Sequence, residues 1–431
     1  MTLTEFTDKL GVPLFGRPLC EPLNCGAGLA IDDSENGGKD DSYMLVLGDV
    51  SIKQYRDFLD NLIGLGREQT FRRDDCGNIF AEFKNDGSLI YTYYTGATET
   101  ARIIFDNASC PFTEMQNKSP QLRKDTALMQ FSLQYGSMIP GYSCDCGMLY
   151  TLRMRDNSLI IIDGGEIEQA TDEACDEYME RLRELTQTEN GEKIRVSAYI
   201  CTHNHNDHMD FFIKLLKREK DTLDVERVYF NFPSRTEICL DSPCTDLLKQ
   251  RLAKYAPNVK FAKLHTGQRY RFPDAWIEVL STHEDILPCS IYSSRGKRYT
   301  GMNETTTVFR IVFDDRSAIF LGDVEEYNGE ILRNLYGKDF LSCKYLQCAH
   351  HMINDDRNIY SIIKAEKLLI PQCRFIAQTR EHENKRYLAS LFGEENMYYA
   401  GDCTYIFTIC DGRETIDCHE HKGYFYDHSE L

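Results

Sequence analysis

Hydrophobic and polar positions divide the chain into two stretches of different texture. In the first, Tyr43-Met-Leu-Val-Leu reads as a short buried strand. Behind it, Ser51 is a good helix N-cap, and Tyr55, Phe58, Leu59, Leu62 and Ile63 recur at helical spacing, which predicts a helix over 51–65. Three strand-like segments follow at Gln69–Arg73, Asn78–Lys84 and Leu89–Tyr94, separated by Asp-Cys-Gly and Asn-Asp-Gly turns, and Ala101–Phe105 adds another. Residues 1–30 show no period, and Gly26-Ala27-Gly28 follows no strand, so it reads as loop and not as a dinucleotide fingerprint. Residues 111–127 are polar and aperiodic, as a linker would be. The expectation is a small α+β domain over 1–127 with no catalytic constellation.

From residue 128 to 431 the pattern changes to alternation. Strands are expected at Gly147–Arg153, Leu159–Asp163, Arg195–Cys201, Arg227–Phe232, Ile277–Ser281, Thr307–Phe313 and Ala318–Leu321. Helices are expected at Ile167–Thr186, Met209–Lys220 and Cys244–Tyr255. Such alternation argues for an α/β domain in which helices pack on sheets. No internal repeat is visible.

Several of these strands end in residues that bind metals. After Ser197-Ala-Tyr-Ile-Cys-Thr come His203, His205, Asp207 and His208 within six positions. On extended backbone alternate residues share a face, so His203 and His205 can hold one ion, while Asp207 and His208 serve a second as the chain turns into a helix. Imidazole and carboxylate are the ligands of catalytic zinc. Ser317-Ala-Ile-Phe-Leu-Gly ends in Asp323, a natural bridging carboxylate, Tyr345-Leu-Gln-Cys-Ala ends in His350 and His351, and Leu159-Ile-Ile-Ile ends in Asp163. Strand alternation points His350 at the Asp323 rim as a ligand and turns His351 away. Of the remaining histidines, His265 and His283 read as structural, and His419, His421 and His428 as a solvated tail.

Composition narrows the function. The formal charge is −19 and neither half of the chain is basic, whereas proteins that grip long nucleic acid usually show a basic stripe, so nucleic acid is an unexpected partner. No apolar run is long enough for a membrane helix, and the first residues lack a basic head and apolar core, so the cytoplasm is the expected location. The 17 cysteines are irregularly spaced, many inside apolar runs, and read as buried thiols and not as a disulfide framework.

The order Asp163-Gly-Gly, His203-x-His205-x-Asp207-His208, Gly322-Asp323, His350 resembles the metallo-β-lactamase superfamily. The run Asn303-Glu-Thr-Thr-Thr-Val-Phe-Arg-Ile-Val-Phe, with the doubled His350-His351, resembles more closely the hydrolase domain of bacterial DNA-uptake channel proteins and their stand-alone relatives. The likeness covers roughly residues 128–412. It implies a four-layer αββα sandwich and a metal-bound hydroxide, held by one or two Zn2+ ions, that attacks a phosphoester, ester or lactone bond of a small molecule. Mn2+ or Fe2+ also suits this mixture of ligands. Asp207 and Asp323 would be the catalytic carboxylates. Asp163 and His351 would support the ligands from behind, and His382 would lie near the substrate. The chain departs from the superfamily where a third histidine of the first ion is expected, since Asn303 or Glu304 stands there. Met209-Asp210 replaces a glycine pair, and Met352 a glycine. A nuclease, or a metal-binding sensor without chemistry, is the alternative reading.

Overall fold

The computed structural model describes residues 1–24, 42–85, 88–105, 122–133, 147–166, 169–231, 244–286, 301–353, 356–379 and 382–420. The expected linker falls largely outside them, and His421 and His428 fall wholly outside. Among the described residues the strands form three sheets, of seven, nine and seven strands.

The first sheet is antiparallel and contains the strands read from the sequence, Tyr43–Gly48, Glu68–Asp75, Asn78–Asn85, Ser88–Thr95 and Thr100–Phe105. The helix Ile52–Gly64 begins at a Ser51/Gln54 capping box and buries Tyr55, Phe58, Leu59 and Leu62 on one face of this sheet. A helix at Leu3–Leu10, where no period was evident, packs Phe6 and Leu10 into the same core.

The other two sheets lie face to face. Leu128, Tyr150, Ile160, Ile162, Ala198 and Ile200 of the nine-stranded sheet share one core with Ile277, Val279, Phe309, Ile311, Phe320 and Tyr345 of the seven-stranded sheet. The far side of the nine-stranded sheet is covered by the helices Asp172–Thr186, Asp210–Arg218 and Cys244–Tyr255 through Tyr178, Leu182, Phe211, Phe212 and Leu252. The far side of the seven-stranded sheet is covered by Glu326–Leu335 and His382–Phe392. This is the four-layer αββα sandwich. Its first strand, Asp125–Gln130, starts before residue 128 and pairs with Cys403–Cys410 at the other end of the chain.

The N-terminal unit is packed against this sandwich. Met44, Val46, Phe80, Tyr91, Tyr93 and Ile104 join Leu280, Val308, Ile319 and Leu346 in one core on the outer face of the seven-stranded sheet. Beside it, Glu278, fully buried, is ion-paired with Arg73 of the N-terminal sheet and with Arg310. Arg73 also stacks on Phe80 at 4.6 Å and Phe340 at 4.0 Å.

One expectation about cysteine is corrected. Cys201 and Cys348 are buried thiols as read, but Cys403 and Cys418 form a disulfide across the hairpin Cys403–Cys410/Arg413–Glu420. Diagonal neighbours on an antiparallel pair come within disulfide reach, a pairing that spacing along the chain does not reveal. No described helix is long and apolar enough to cross a membrane.

Candidate metal centre

Parallel strands deliver their C-terminal ends to one edge of a sheet, and the candidate residues occupy that edge. Leu159–Ile162 and Ile194–Ile200 run parallel, leading to Asp163 and to the His203–His208 run. On the facing sheet Arg316–Phe320 and Cys343–Gln347 run parallel, leading to Asp323 and to the paired histidines.

The side chains converge in two groups that share Asp323. Asp207, His208, Asp323 and His351 form one, and His203, His205 and Asp323 form the other. In the larger group, His208 Nε2 is 3.2 Å from Asp323 Oδ1 and 3.8 Å from Asp207 Oδ2. His351 Nε2 is 3.0 Å from Asp207 Oδ2 and 3.8 Å from Asp323 Oδ1. In the smaller group, His203 Nε2 is 3.0 Å from His205 Nδ1 and 3.6 Å from Asp323 Oδ2. Donors bonded at about 2.1 Å to one tetrahedral ion lie about 3.4 Å apart. Both groups are therefore spaced for an ion, with one oxygen of Asp323 in each.

Burial and electrostatics point the same way. His208 Nε2 and Asp323 Oδ1 are buried and, though 3.2 Å apart, are not aligned as a hydrogen bond, an expensive condition that a cation relieves. Burial would lower the His208 pKa, yet Asp323, Asp207 and Asp163 outweigh it and hold the ring well above its ordinary range. His351, opposed by burial in the same way, is pushed up to about 9 by Asp323 and Asp207. Burial and the neighbouring His208 instead hold His203 well below its ordinary range. Burial would raise the Asp323 and Asp207 carboxyls, but the surrounding histidines bring both down. Ionised carboxylates thus draw protons onto His208 and His351 but not onto His203, and a divalent ion can take the place of those protons.

Outer partners fix the rings. Asp163, buried and in a left-handed conformation (φ 55°), accepts from Thr202 N at 2.8 Å and Thr202 Oγ1 at 2.9 Å and lies 2.8 Å from His208 Nδ1. These contacts put Asp163 behind the His208 ring, on the side away from Asp323. Gly322 has φ +54°, and a Cβ there would lie 2.7 Å from Thr306 Cγ2 and 2.9 Å from Thr202 Cβ, so the turn that presents Asp323 requires glycine. Gln347 accepts from Leu321 N and Gly322 N and ties this turn to the following one. Thr202, Gln347 and Glu325 were not singled out from sequence. Each is a polar residue beside a candidate ligand, but polar residues beside ligands are common.

The doubled histidine departs from its expected arrangement. The strand ends at Gln347, and His350, His351 and Met352 all take positive φ, of 46°, 49° and 68°. Alternation therefore stops before either histidine. His351, expected to turn away, joins Asp207, His208 and Asp323, while His350 falls outside both groups, with Nε2 3.9 Å from Asp323 Oδ2. Asn303 and Glu304 also fall outside the groups. Asn303 Nδ2 donates to Glu325 Oε1 at 2.9 Å and lies 3.2 Å from His350 Nε2. Glu304 lines an open cavity of about 530 Å3 with Glu325, Glu326, Tyr327 and Glu330. His382 is exposed at the start of its helix. His265 and His283 are buried in hydrogen bonds to Glu284 and Asn231.

No family model matches the sequence, and no curated protein matches it. Several solved structures with a similar course of the chain are named for the metallo-β-lactamase fold or the beta-lactamase superfamily, and others are not. The metallo-beta-lactamase fold protein YhfI from Bacillus subtilis is 13% identical, with 68% of this chain and 100% of that one covered at a TM-score of 0.37. Zn(2+)-bound PqqB from Methylobacterium extorquens is 10% identical, with 65% and 99% covered at 0.38. Tm1679, a metal-dependent hydrolase of the beta-lactamase superfamily, is 12% identical, with 66% and 100% covered at 0.37. With likenesses this distant, the layers and side chains of this chain carry the functional reading by themselves.

Proposed function

We propose that the protein is a metal-dependent hydrolase of the metallo-β-lactamase type, holding two divalent ions, with zinc the natural choice for a site of imidazoles and carboxylates. One observation carries this reading: a single buried carboxylate, Asp323, gives one oxygen to each of two ligand groups whose spacing suits an ion. A bound ion lowers the pKa of a coordinated water towards about 7 and polarises the bond under attack. The chain's own part is to fix the geometry. Asp163 and Thr202 hold His208, and Gln347 and Gly322 present Asp323. Asp207, whose side chain is 23% exposed where Asp323 is buried, orients the attacking water.

The substrate is a small molecule with a phosphoester, ester or lactone bond. A cavity of about 530 Å3, lined by Glu325, which approaches His350 Nδ1, has room for such a molecule. Its four glutamates, with the charge of −19, disfavour a nucleic-acid backbone. Hydrolysis of a phosphodiester, a carboxylester and a lactone by the zinc-loaded protein tests the reading. Turnover of at least one, abolished by chelation and restored by Zn2+, is expected. No turnover of any by fully loaded protein would favour a metal-binding sensor.

A further inference from the structure

We propose that His350 supplies the third imidazole of the first ion, in place of the histidine that Asn303 replaces, and that Asn303 caps its coordinating nitrogen until the ion enters. The inference rests on the two-ion reading above and specifies how its weaker half is completed. His203, His205 and Asp323 give that ion three protein donors, one of them shared.

His350 is built as a ligand in three respects. Its Nε2 lies 3.9 Å from Asp323 Oδ2, close to the 3.6 Å between His203 Nε2 and the same oxygen. Its Nδ1 is 3.3 Å from Glu325 Oε1, within ion-pair reach though not aligned as a hydrogen bond. A carboxylate on the Nδ1 side, with Nε2 turned towards the metal, is the outer partnership in which metal-bound histidines are usually held. Finally, Nε2 lies 3.2 Å from the amide nitrogen of Asn303, a group with hydrogens to donate. An amide donor facing Nε2 marks that atom as an acceptor.

The position is held by backbone. His350 N donates to Gly322 O at 3.0 Å, which couples the histidine turn to the turn that carries Asp323. Asn303 is itself fixed, since its carbonyl accepts from Asn328 Nδ2 at 2.9 Å and its amide also donates to Glu325. His350 stands outside the group of His203, His205 and Asp323, so its ring must leave the amide and turn further towards Asp323 to reach the ion. Asn303 remains beside Glu325 after the exchange.

The test is competition titration of Zn2+ against a chromophoric chelator, with absorption of the Co2+-loaded protein as a second readout. His205→Ala and Asp207→Ala mark the first and second ions. His350→Gly suits the left-handed backbone (φ 46°, ψ 50°). It should weaken the first ion about 100-fold or more and alter its Co2+ spectrum, leaving the second ion unchanged. Glu325→Gln should weaken the first ion about 10–100-fold, as loss of an outer-shell partner does. Asn303→Ala should leave the first ion as tight as before, or tighter. Native-like binding of both ions by His350→Gly would overturn this inference alone, as would loss of the first ion in Asn303→Ala, which would make the amide the ligand. Should His350→Gly lose both ions, Glu325→Gln decides: a weakened first ion beside an intact second sustains the proposal, and two intact ions refute it. A native chain that binds no ion overturns the two-ion reading and this inference together.

Discussion

Replacing Asp163 by Asn removes no bulk and no contact atom, yet it should cost the second ion. The carboxylate meets Thr202 N at 2.8 Å with Oδ1, and Thr202 Oγ1 at 2.9 Å and His208 Nδ1 at 2.8 Å with Oδ2. Asparagine has one acceptor oxygen. If that oxygen stays on Thr202 N, the amide NH2 faces His208 Nδ1. It then forces the proton onto Nε2, the atom 3.2 Å from Asp323 Oδ1 that would bind the ion. If the amide flips, the Thr202 N–H is buried against another donor, at a cost of about 1–3 kcal/mol. The first arrangement presents a protonated Nε2 to the ion, the second keeps the ring only at the cost of the buried Thr202 N–H, and loss of such an outer-shell partner weakens metal binding about 10–100-fold, or roughly 1.4–2.7 kcal/mol. Competition titration at neutral pH should show that loss at the second ion with the first retained, in protein whose circular dichroism is unchanged. Native affinity for both ions in a folded Asp163→Asn variant would refute the claim that Asp163 sets the His208 ring.

Two further outcomes are expected. Asp323→Ala should lose both ions and His205→Ala mainly one, measured as metal per chain after gel filtration. Equal losses would contradict the shared carboxylate. Away from the centre, burial would raise the Glu284 carboxyl, but His265, 2.7 Å away, and Lys263 bring it down to about 2. A carboxyl held below its ordinary 4.5 stabilises the fold above that pH and loses its contribution as pH falls towards 2. Glu284→Gln should therefore have a lower urea midpoint than the native chain at pH 7, and the difference should shrink between pH 4.5 and pH 2. A difference independent of pH would show that the loss is one of packing.

The sequence exposed the parts of this molecule whose causes are local. The His203–His208 run, the strand ends at Asp163 and Asp323, and the strands and Ser51-capped helix of the N-terminal unit follow from neighbouring residues and simple periods. The helix Leu3–Leu10 was within reach as well, since Thr2 and Glu5 form a capping box, but eight residues give too short a period to stand out. What escaped depends on the chain's path. Three successive left-handed residues after Gln347 brought His351 into the centre, and strand alternation cannot foresee a turn that ends the strand early. The Cys403–Cys418 bond needs the hairpin register, and the partnerships of Gln347, Thr202 and Glu325 need two sheets already folded together. Packing of the N-terminal sheet on the sandwich, with Arg73 reaching Glu278, joins positions far apart in the chain.

The central claim is that two ions share Asp323, and metal titration of the native chain tests it most directly. Protein stripped by chelation and titrated with Zn2+ should take up two ions per chain, with hydrolysis returning as the second site fills. Uptake of a single ion, with full activity and no further change on adding metal, would contradict it.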